Sequence, residues 1–162
     1  MLIGIISDTH DNLLRIDKMF SFIKEKKINT IIHCGDVTNM ETLKYLSKNF
    51  KGKIYLSLGN VDEMYGLFKK DIDFKNIIVY EKSGELKIDN LNIAFCHFPW
   101  LAKTLAKNNP FDFVFYGHTH EPWEETINKT KLINPGTLAG MFNKSTFAIL
   151  NTENKNIELK IL

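Results

Sequence analysis

The fold class follows from three apolar segments that each run into polar residues: LIGIISDTH at residues 2–10, TIIHCGD at residues 30–36 and IYLSLGN at residues 54–60. Their apolar runs are short and rich in isoleucine and leucine, which is typical of strands buried on both faces. Between them, apolar residues recur every three or four positions, which predicts helices packed on a sheet. The order strand, helix, strand, helix, strand favours parallel strands with right-handed crossovers. The expected helices run through Leu13, Ile16, Phe20 and Ile23, and through Met40, Leu43, Leu46 and Phe50.

The second half of the chain alternates short apolar runs with turns, a pattern typical of a closing series of strands. One further helix is expected from Trp100 to Lys107. We therefore predict an α/β fold, a four-layer α-β-β-α sandwich with two mixed β-sheets, formed by a single domain over residues 1–162. The strands expected in this half are Ile77 to Glu81, Leu86 to Ile88, Leu91 to Phe95, Phe113 to Tyr116, Glu124 to Ile127, Lys131 to Ile133, Thr146 to Leu150 and Ile157 to Ile161.

Composition argues against several classes of function. The 162 residues are 44% hydrophobic and 25% charged, and a net charge of +2 is too small to indicate binding to nucleic-acid polymers or membranes. Arg15 is the only arginine, so bidentate arginine clamps on phosphate cannot be widespread. Cys34 and Cys96 form no CxxC pair and are expected to be buried thiols. Because there is no basic leader and no long apolar stretch, we expect a cytoplasmic protein.

Polar side chains follow the ends of the predicted strands. Asp8 and His10 come after the first strand, while Asp36 and Asn60 come after the second and third. In open α/β sheets, ligands bind in the crevice outside the carboxyl ends of the strands, so we expect these side chains along one edge. Four of the five histidines belong to the full set, which is Asp8, His10, Asp36, Asn60, His97, His118 and His120.

Each member of this set has an alternative structural role. A lone Asp after a strand is usually a helix cap or a turn residue, and Gly59-Asn60 is a common turn dipeptide. A lone His97 is more often a hydrogen-bonded core histidine than a ligand, and we assign His33, inside the second strand, to that category. His118 and His120 are a stronger signal, because alternate side chains of an extended segment point the same way. The set as a whole indicates a metal site.

The set lies within ordered motifs: Ser7-Asp8-Thr9-His10, Gly35-Asp36, Gly59-Asn60-Val61-Asp62, His97 and Gly117-His118-Thr119-His120. These motifs resemble those of the calcineurin-like metallophosphoesterase superfamily, in particular its small single-domain prokaryotic phosphodiesterase branch. Asn134-Pro135-Gly136-Thr137 resembles a further loop of this branch. The resemblance runs from residue 7 to residue 137 in family order, and the motifs together are highly specific.

The resemblance implies a dinuclear-metal-dependent phosphodiesterase that hydrolyses small phosphodiesters through a water or hydroxide between the metals. Two divalent cations roughly 3.5–4 Å apart can clamp the attacking and leaving oxygens, and they supply positive charge that a single arginine cannot. The expected cofactor is two divalent ions per chain, Mn²⁺ first, with Ni²⁺, Fe²⁺, Co²⁺ or Zn²⁺ as alternatives. Asp36, Asn60 and His97 are implied to be catalytic as well. The implied ligand sets are Asp8, His10 and His120 for one metal, Asn60, His97 and His118 for the other, and Asp36 as the bridge.

Two positions depart from the family pattern. Many members carry, after the Gly-Asn pair, a histidine that can protonate the leaving oxygen. Val61 stands there instead, so we expect a bias towards diesters or activated leaving groups, and the role of Asp62 stays open. After His97, where many members have Gly-His, the chain reads Phe98-Pro99-Trp100. Phe98 and Trp100 are expected either to wall the pocket and stack on a nucleobase or to bury in a subunit interface.

Other roles are open at this stage. Asn12 is a candidate phosphate contact or a helix cap. The chain could instead be a catalytically weak protein-binding scaffold, like the retromer subunit that resembles this branch, because fold alone does not fix function. The apolar segment Met64-Tyr65-Gly66-Leu67-Phe68 is then the candidate partner or homodimer surface, with core packing as its alternative. Nucleotide binding without hydrolysis is disfavoured, because the chain has no G-x-G-x-x-G or Walker-type loop.

Overall fold

The structure is a computed structural model that describes residues 1–67 and 72–162. Within these residues, two mixed β-sheets pack face to face with helices on the outer faces, which confirms the predicted α/β sandwich. The strands are β1 (Leu2–Ile6), β2 (Thr30–His33), β3 (Lys53–Ser57), β4 (Ile77–Tyr80), β5 (Ser83–Ile88), β6 (Leu91–Cys96), β7 (Phe113–Phe115), β8 (Trp123–Ile127), β9 (Thr130–Asn134), β10 (Thr146–Asn151) and β11 (Asn156–Ile161). The helices are α1 (Leu13–Glu25), α2 (Met40–Asn49), α3 (Asn60–Met64) and α4 (Pro99–Asn108).

The larger sheet has the strand order β11-β10-β1-β2-β3-β4. Strands β1 to β4 are parallel, with Ile5 opposite Ile32 and His33 opposite Leu56, while β10 and β11 are joined in antiparallel fashion. The smaller sheet has the order β5-β6-β7-β9-β8, in which β6, β7 and β9 are parallel. In each sheet, the loops that follow the parallel strands therefore lie at the edge formed by the carboxyl ends of those strands.

Three apolar clusters separate the layers. Ile5 and Ile32 belong to the cluster between the two sheets, whereas Ile6 and Ile31, at alternate positions, face α1 and α2. A third cluster joins α4, through Ala102 and its neighbours, to the outer face of the smaller sheet. Because both faces of the central strands are covered, their sequences are apolar without interruption.

The structure differs from the predicted elements in one helix. The short α3 begins at Asn60, where the sequence indicated only a turn. Cys34 and Cys96 are buried and free, as expected. In the apolar segment that begins at Met64, Met64 is 77% exposed, whereas Leu67 is fully buried; Phe68 lies outside the described residues. Within the described ranges, no helix combines the length and the apolar character needed to cross a membrane.

Candidate metal centre

The predicted metal ligands come together at the carboxyl-terminal edges of the two sheets. Asp8 and His10 follow β1, Asp36 follows β2, and Asn60 begins α3 shortly after β3. The other three ligands follow β6 and β7 of the smaller sheet, and they are His97, His118 and His120. Both sheets thus contribute to one cluster, which lies where their edges meet.

Asp8, His10 and His120 form the first group of ligand atoms, all within 4.8 Å of one another. Asp8 Oδ1 lies 3.1 Å from His120 Nε2 and 3.7 Å from His10 Nε2. The two Nε2 atoms are only 3.2 Å apart. Among the described residues, Asp8 Oδ1 is buried without a hydrogen-bond partner. One carboxylate oxygen and two imidazole nitrogens therefore point into the same small space.

Asp36, Asn60, His97 and His118 form the second group. His97 Nε2 lies 3.0 Å from Asn60 Oδ1, 3.4 Å from Asp36 Oδ2 and 3.3 Å from His118 Nδ1. Asp36 Oδ2 also lies 3.9 Å from His10 Nε2, so this carboxylate is placed between the two groups. The Asp8 carboxylate also approaches Asp36 and His97, all three having ligand atoms within 4.8 Å. Both carboxylates are therefore close enough to belong to either group.

The protonation of His97 makes this cluster fit a cation. His97 Nδ1 lies 2.8 Å from the Cys34 carbonyl oxygen, which can only accept, so Nδ1 carries a hydrogen. In the neutral ring, Nε2 then presents a lone pair towards Asn60 Oδ1 and Asp36 Oδ2. Atoms that only accept hydrogen bonds repel one another at such distances unless a positive charge lies between them. Nitrogen and oxygen donors without thiolate suit divalent Mn, Fe, Co, Ni or Zn.

The pKa values of groups in the cluster are shifted by burial and by contacts between carboxylates and imidazoles. Burial would raise the pKa of the Asp8 carboxyl, but the neighbouring imidazoles of His10 and His120 outweigh burial and lower it. Burial would lower the pKa of His97, yet the Asp36 carboxylate beside it raises that pKa. The pKa of His118 is lowered by burial and by the neighbouring His97. The two buried carboxylates thus favour positive charge in the cluster.

Left-handed backbone conformations bring the ligand side chains together. Such φ values are uncommon for residues other than glycine and concentrate at functional sites. They occur at five predicted ligands, namely Asp8 (φ 53°), His10 (φ 38°), Asp36 (φ 59°), His118 (φ 73°) and His120 (φ 61°). His118 and His120 therefore do not lie in the extended segment that the sequence analysis expected, although their ring nitrogens still reach the cluster.

Comparison with known families agrees with this geometry. The family model of the calcineurin-like phosphoesterase superfamily domain matches residues 1–155. The chain belongs to this superfamily. It is therefore a hydrolase of phosphoric esters, as the resemblance of its motifs implied.

One curated relative and two solved structures are similar to this chain over most of its length. The chain is 35% identical over 161 residues to a phosphodiesterase of Methanocaldococcus jannaschii, and the match covers 96% of this chain and 95% of that protein. A solved structure described as a novel archaeal phosphodiesterase superposes with a TM-score of 0.84 at 30% identity, over 100% of both chains. Vps29 of Chaetomium thermophilum superposes over 100% of this chain and 96% of its own with a TM-score of 0.71, but at 16% identity that likeness shows the fold alone.

In this phosphoesterase, Asp62 has a bracing role that the sequence left open. Its carboxylate is fully buried and accepts hydrogen bonds from the backbone N–H groups of Asp36 (2.9 Å), Thr38 (2.7 Å) and Gly59 (2.8 Å). Gly59 allows Asp36 to lie close to the second of these loops, because a Cβ on Gly59 would lie 2.2 Å from Asp36 Oδ1. Asp62 therefore ties together the two loops that carry Asp36 and Asn60.

Asn134 braces the smaller-sheet side of the phosphoesterase in a similar way. Its Nδ2 donates to the Gly117 carbonyl and to Thr119 Oγ1, both at 2.9 Å. Thr137 Oγ1, in the same loop, donates to the Asp8 carbonyl at 3.1 Å. The Asn134-Pro135-Gly136-Thr137 loop thus holds the His118 and His120 segment against the loop that carries Asp8.

The residues predicted to contact substrate lie around this cluster. Asn12 Oδ1 accepts a hydrogen bond from the Arg15 N–H at 3.2 Å, and its Nδ2 donates to Ala139 O, so Asn12 caps α1. The ring of Phe98 lies 5.1 Å from that of His118, and Trp100 stacks on Phe98 at 6.1 Å. Trp100 is 65% exposed. Phe98 and Trp100 therefore wall one side of the cluster, whereas the polar atoms of Asn12 are engaged within the protein.

His33 is a core histidine, as we expected. Its side chain is fully buried. Its Nδ1 accepts a hydrogen bond from the Gly35 N–H, so in the neutral ring Nε2 carries the hydrogen. That hydrogen is donated to Thr9 Oγ1 at 3.2 Å. Burial lowers the pKa of His33 to about 3, although Asp8 and Asp36 partly oppose this shift. His33 is therefore neutral near pH 7 and supports the loop that carries Asp36 from beneath.

Proposed function

We propose that this phosphoesterase is a phosphodiesterase that hydrolyses small phosphodiesters with two divalent metal ions. The observation that carries the proposal is the convergence of nitrogen and oxygen ligand atoms around His97 Nε2, with Asn60 Oδ1 at 3.0 Å and Asp36 Oδ2 at 3.4 Å. The buried Asp8 Oδ1 supports a second ion in the same way. The proposed ligands are Asp8, His10 and His120 for one ion, Asn60, His97 and His118 for the other, and Asp36 between them.

Backbone groups hold the side chains of Asp36 and His97 in place. The Val61 N–H donates to Asp36 Oδ1 at 2.9 Å, which leaves Asp36 Oδ2 directed at the cluster. The Cys34 carbonyl fixes the ring of His97 in the same manner. When bound, two divalent ions would polarise the phosphoryl oxygens and supply a deprotonated water at neutral pH. The single arginine, Arg15, donates to the Leu162 carbonyl at 2.9 Å, so its guanidinium is already engaged elsewhere in the protein.

A bias towards activated leaving groups follows from the residue after Asn60, whereas the preference for diesters rests on the similarity to phosphodiesterases. The side chain of Val61 cannot donate a proton to a departing oxygen, so leaving groups that need protonation should react slowly. Esters with activated leaving groups avoid that requirement. Asn12, Phe98 and Trp100 are the proposed substrate contacts, with Asn12 contributing through the start of α1 because its side chain caps that helix.

The proposal also includes the choice of metal ion and the cellular location of the enzyme. Mn²⁺ is the first choice, and Ni²⁺, Fe²⁺, Co²⁺ and Zn²⁺ fit the same donor set. The two free, buried thiols are compatible with a reducing cytoplasm, and we propose that location.

A protein-binding scaffold is the second candidate function. Tyr65 is 60% exposed and Trp100 is 65% exposed, and such side chains are common at interfaces, including that of a homodimer. The intact set of ligand side chains favours the enzyme instead, because a scaffold does not require a buried carboxylate oxygen without a hydrogen-bond partner, such as Asp8 Oδ1.

Metal-stripped protein refilled with single metals distinguishes the two functions. We expect turnover of bis(p-nitrophenyl) phosphate with Mn²⁺ or one of the alternative ions, slower turnover of p-nitrophenyl phosphate, and loss of both in His120→Ala. Failure of every metal to restore hydrolysis, with correctly folded protein, would reject the enzyme. Faster hydrolysis of the monoester would reject the diester preference alone.

A further inference from the structure

Phe142 is an exposed aromatic residue in an unfavourable backbone conformation beside the metal centre. Its side chain is 90% exposed, and its φ of 63° is uncommon for a bulky residue. The ring lies 5.8 Å from the ring of His120, a predicted ligand of the first group. Burial in the core does not account for a phenylalanine at this position, and its exposed ring is open to a ligand bound at the cluster.

The loop that carries Phe142 is fixed relative to the metal ligands. The Ala139 N–H donates to the Asp8 carbonyl at 3.0 Å, and Asn143 Nδ2 donates to the His120 carbonyl at 3.1 Å. Hydrogen bonds on both sides of Phe142 therefore attach this loop to the first ligand group. A substrate bound at the metals would meet the ring in a defined place.

A second aromatic surface lies beside the other ligand group. The ring of Phe98 is 5.0 Å from that of His97 and 5.1 Å from that of His118. Trp100 stacks on Phe98 with an interplanar angle of 23° and extends this surface towards solvent. Aromatic rings therefore adjoin both ligand groups: the exposed Phe142 at the first, and the half-buried Phe98 with the exposed Trp100 at the second.

We propose that Phe98, Trp100 and Phe142 form an aromatic clamp that binds the two organic arms of a phosphodiester. This inference rests on the proposed function and names its substrate class: diesters with a planar aromatic group, such as a nucleobase, on each arm. A phosphate held at the cluster directs one arm towards each ligand group, where the nearest exposed ring can stack on it. Stacking on aromatic side chains tolerates any base, because every base has a π-face. The clamp therefore selects for planarity at both ends rather than for one base.

The test compares two diesters that share a leaving group. Bis(p-nitrophenyl) phosphate has two aromatic arms, and methyl p-nitrophenyl phosphate has one. In Trp100→Ala/Phe142→Ala, each side of the clamp loses its exposed ring, so binding of the first ester is weakened at two arms and that of the second at one, whichever side holds the leaving arm. We expect the ratio of kcat/KM for the two esters to fall about tenfold relative to the unmodified protein, the effect of one lost stack. Trp123→Ala is the matched control, because Trp123 is a 56% exposed aromatic residue on β8, and it should leave the ratio unchanged.

The outcomes separate the clamp from the proposed function. A fall in the ratio in the double variant, and not in Trp123→Ala, supports the clamp. Turnover of both esters with an unchanged ratio overturns the clamp and leaves the phosphodiesterase intact. Turnover of neither ester by the unmodified, metal-loaded protein overturns the proposed function and the clamp with it.

Discussion

The two ends of the parallel strands differ in how their charges are arranged. At the carboxyl ends, Asp8 and Asp36 are buried, and the loops that carry them adopt left-handed conformations. At the amino ends, an open groove is lined by exposed lysines, namely Lys24, Lys27, Lys51 and Lys53. Solvated lysines need no charge compensation, whereas buried carboxylates must be compensated. Left-handed backbone occurs on both sides, since Lys27 in the groove has a φ of 55°, but buried charge accumulates where the predicted ligands converge, and the charges at the opposite ends are exposed.

Two aspartates at opposite ends of the strands should differ most in their effect on activity. Asp36→Ala removes the carboxylate between the two ligand groups and should reduce kcat/KM for bis(p-nitrophenyl) phosphate by more than about 100-fold, because even residues that only support a ligand account for 10- to 100-fold. Asp112 precedes β7 and pairs with Lys155 at 2.8 Å. Asp112→Ala should stay within about twofold of the unmodified protein. Equal losses in the two variants would remove the distinction between the two ends.

Asp62 should matter more for stability than an aspartate outside the site. Asp62→Asn weakens three short hydrogen bonds from backbone N–H groups and should lower the free energy of unfolding by about 2.5 kcal/mol. Asp112→Asn weakens one backbone hydrogen bond and an ion pair, and should lower it by less than about 1 kcal/mol. Urea unfolding of metal-free protein measures both values. A cost for Asp62→Asn no greater than that for Asp112→Asn would contradict its bracing role.

The buried His33 should make stability depend on pH. Its pKa is about 3 in the folded protein, against an ordinary 6.5, so between these values the unfolded chain binds a proton that the folded chain does not. The free energy of unfolding therefore decreases as pH falls below 6.5, by about 1.4 kcal/mol per pH unit and roughly 2 kcal/mol in total between pH 8 and pH 5. His33→Asn keeps an acceptor for the Gly35 N–H without titrating.

Urea unfolding across this pH range compares the two slopes. The unmodified, metal-free protein should lose about 2 kcal/mol more than His33→Asn between pH 8 and pH 5. Parallel curves for the two proteins would show that His33 takes up its proton in the folded state as readily as in the unfolded chain.

A smaller change in stability tests whether Phe142 is strained. Phe142→Gly removes the steric cost of a left-handed residue and should raise the free energy of unfolding by about 0.5 kcal/mol, after the entropy of glycine is deducted. Trp123→Gly places glycine in a strand and should lower it by about 1 kcal/mol. Thermal unfolding under identical conditions gives the sign of each change. A loss in Phe142→Gly as large as that in Trp123→Gly would mean that the Phe142 ring stabilises the fold.

The sequence was sufficient for most of the fold because the central strands are covered on both faces. Short apolar runs such as Leu2–Ile6 and the Ile31-Ile32 pair of β2 are typical of such strands, and the helices between them carry clear periodicity. The short helix α3 was missed, because five residues beginning with Asn60 offer no apolar period and Gly59-Asn60 indicates a turn. Strand order was also beyond the pattern, since the placement of β10 beside β1 depends on contacts distant in sequence.

The candidate site was predictable where its residues belong to the family motifs and unpredictable where their contacts form only in the folded chain. Asp8 and His120 belong to motifs, so their types and order were enough to group them. The role of Asp62 depends on three N–H groups that converge only in the folded chain. Phe142 lies in an irregular loop without periodicity, and a single exposed phenylalanine in a sequence carries no signal of its own.

Anomalous diffraction from crystals loaded with Mn²⁺ examines the proposed metal centre itself. The expected result is two peaks at the carboxyl ends of the strands: one among Asp8, His10 and His120, the other among Asn60, His97 and His118, with Asp36 touching both. The absence of bound manganese, a single ion, or these side chains turned away from one another would contradict the account.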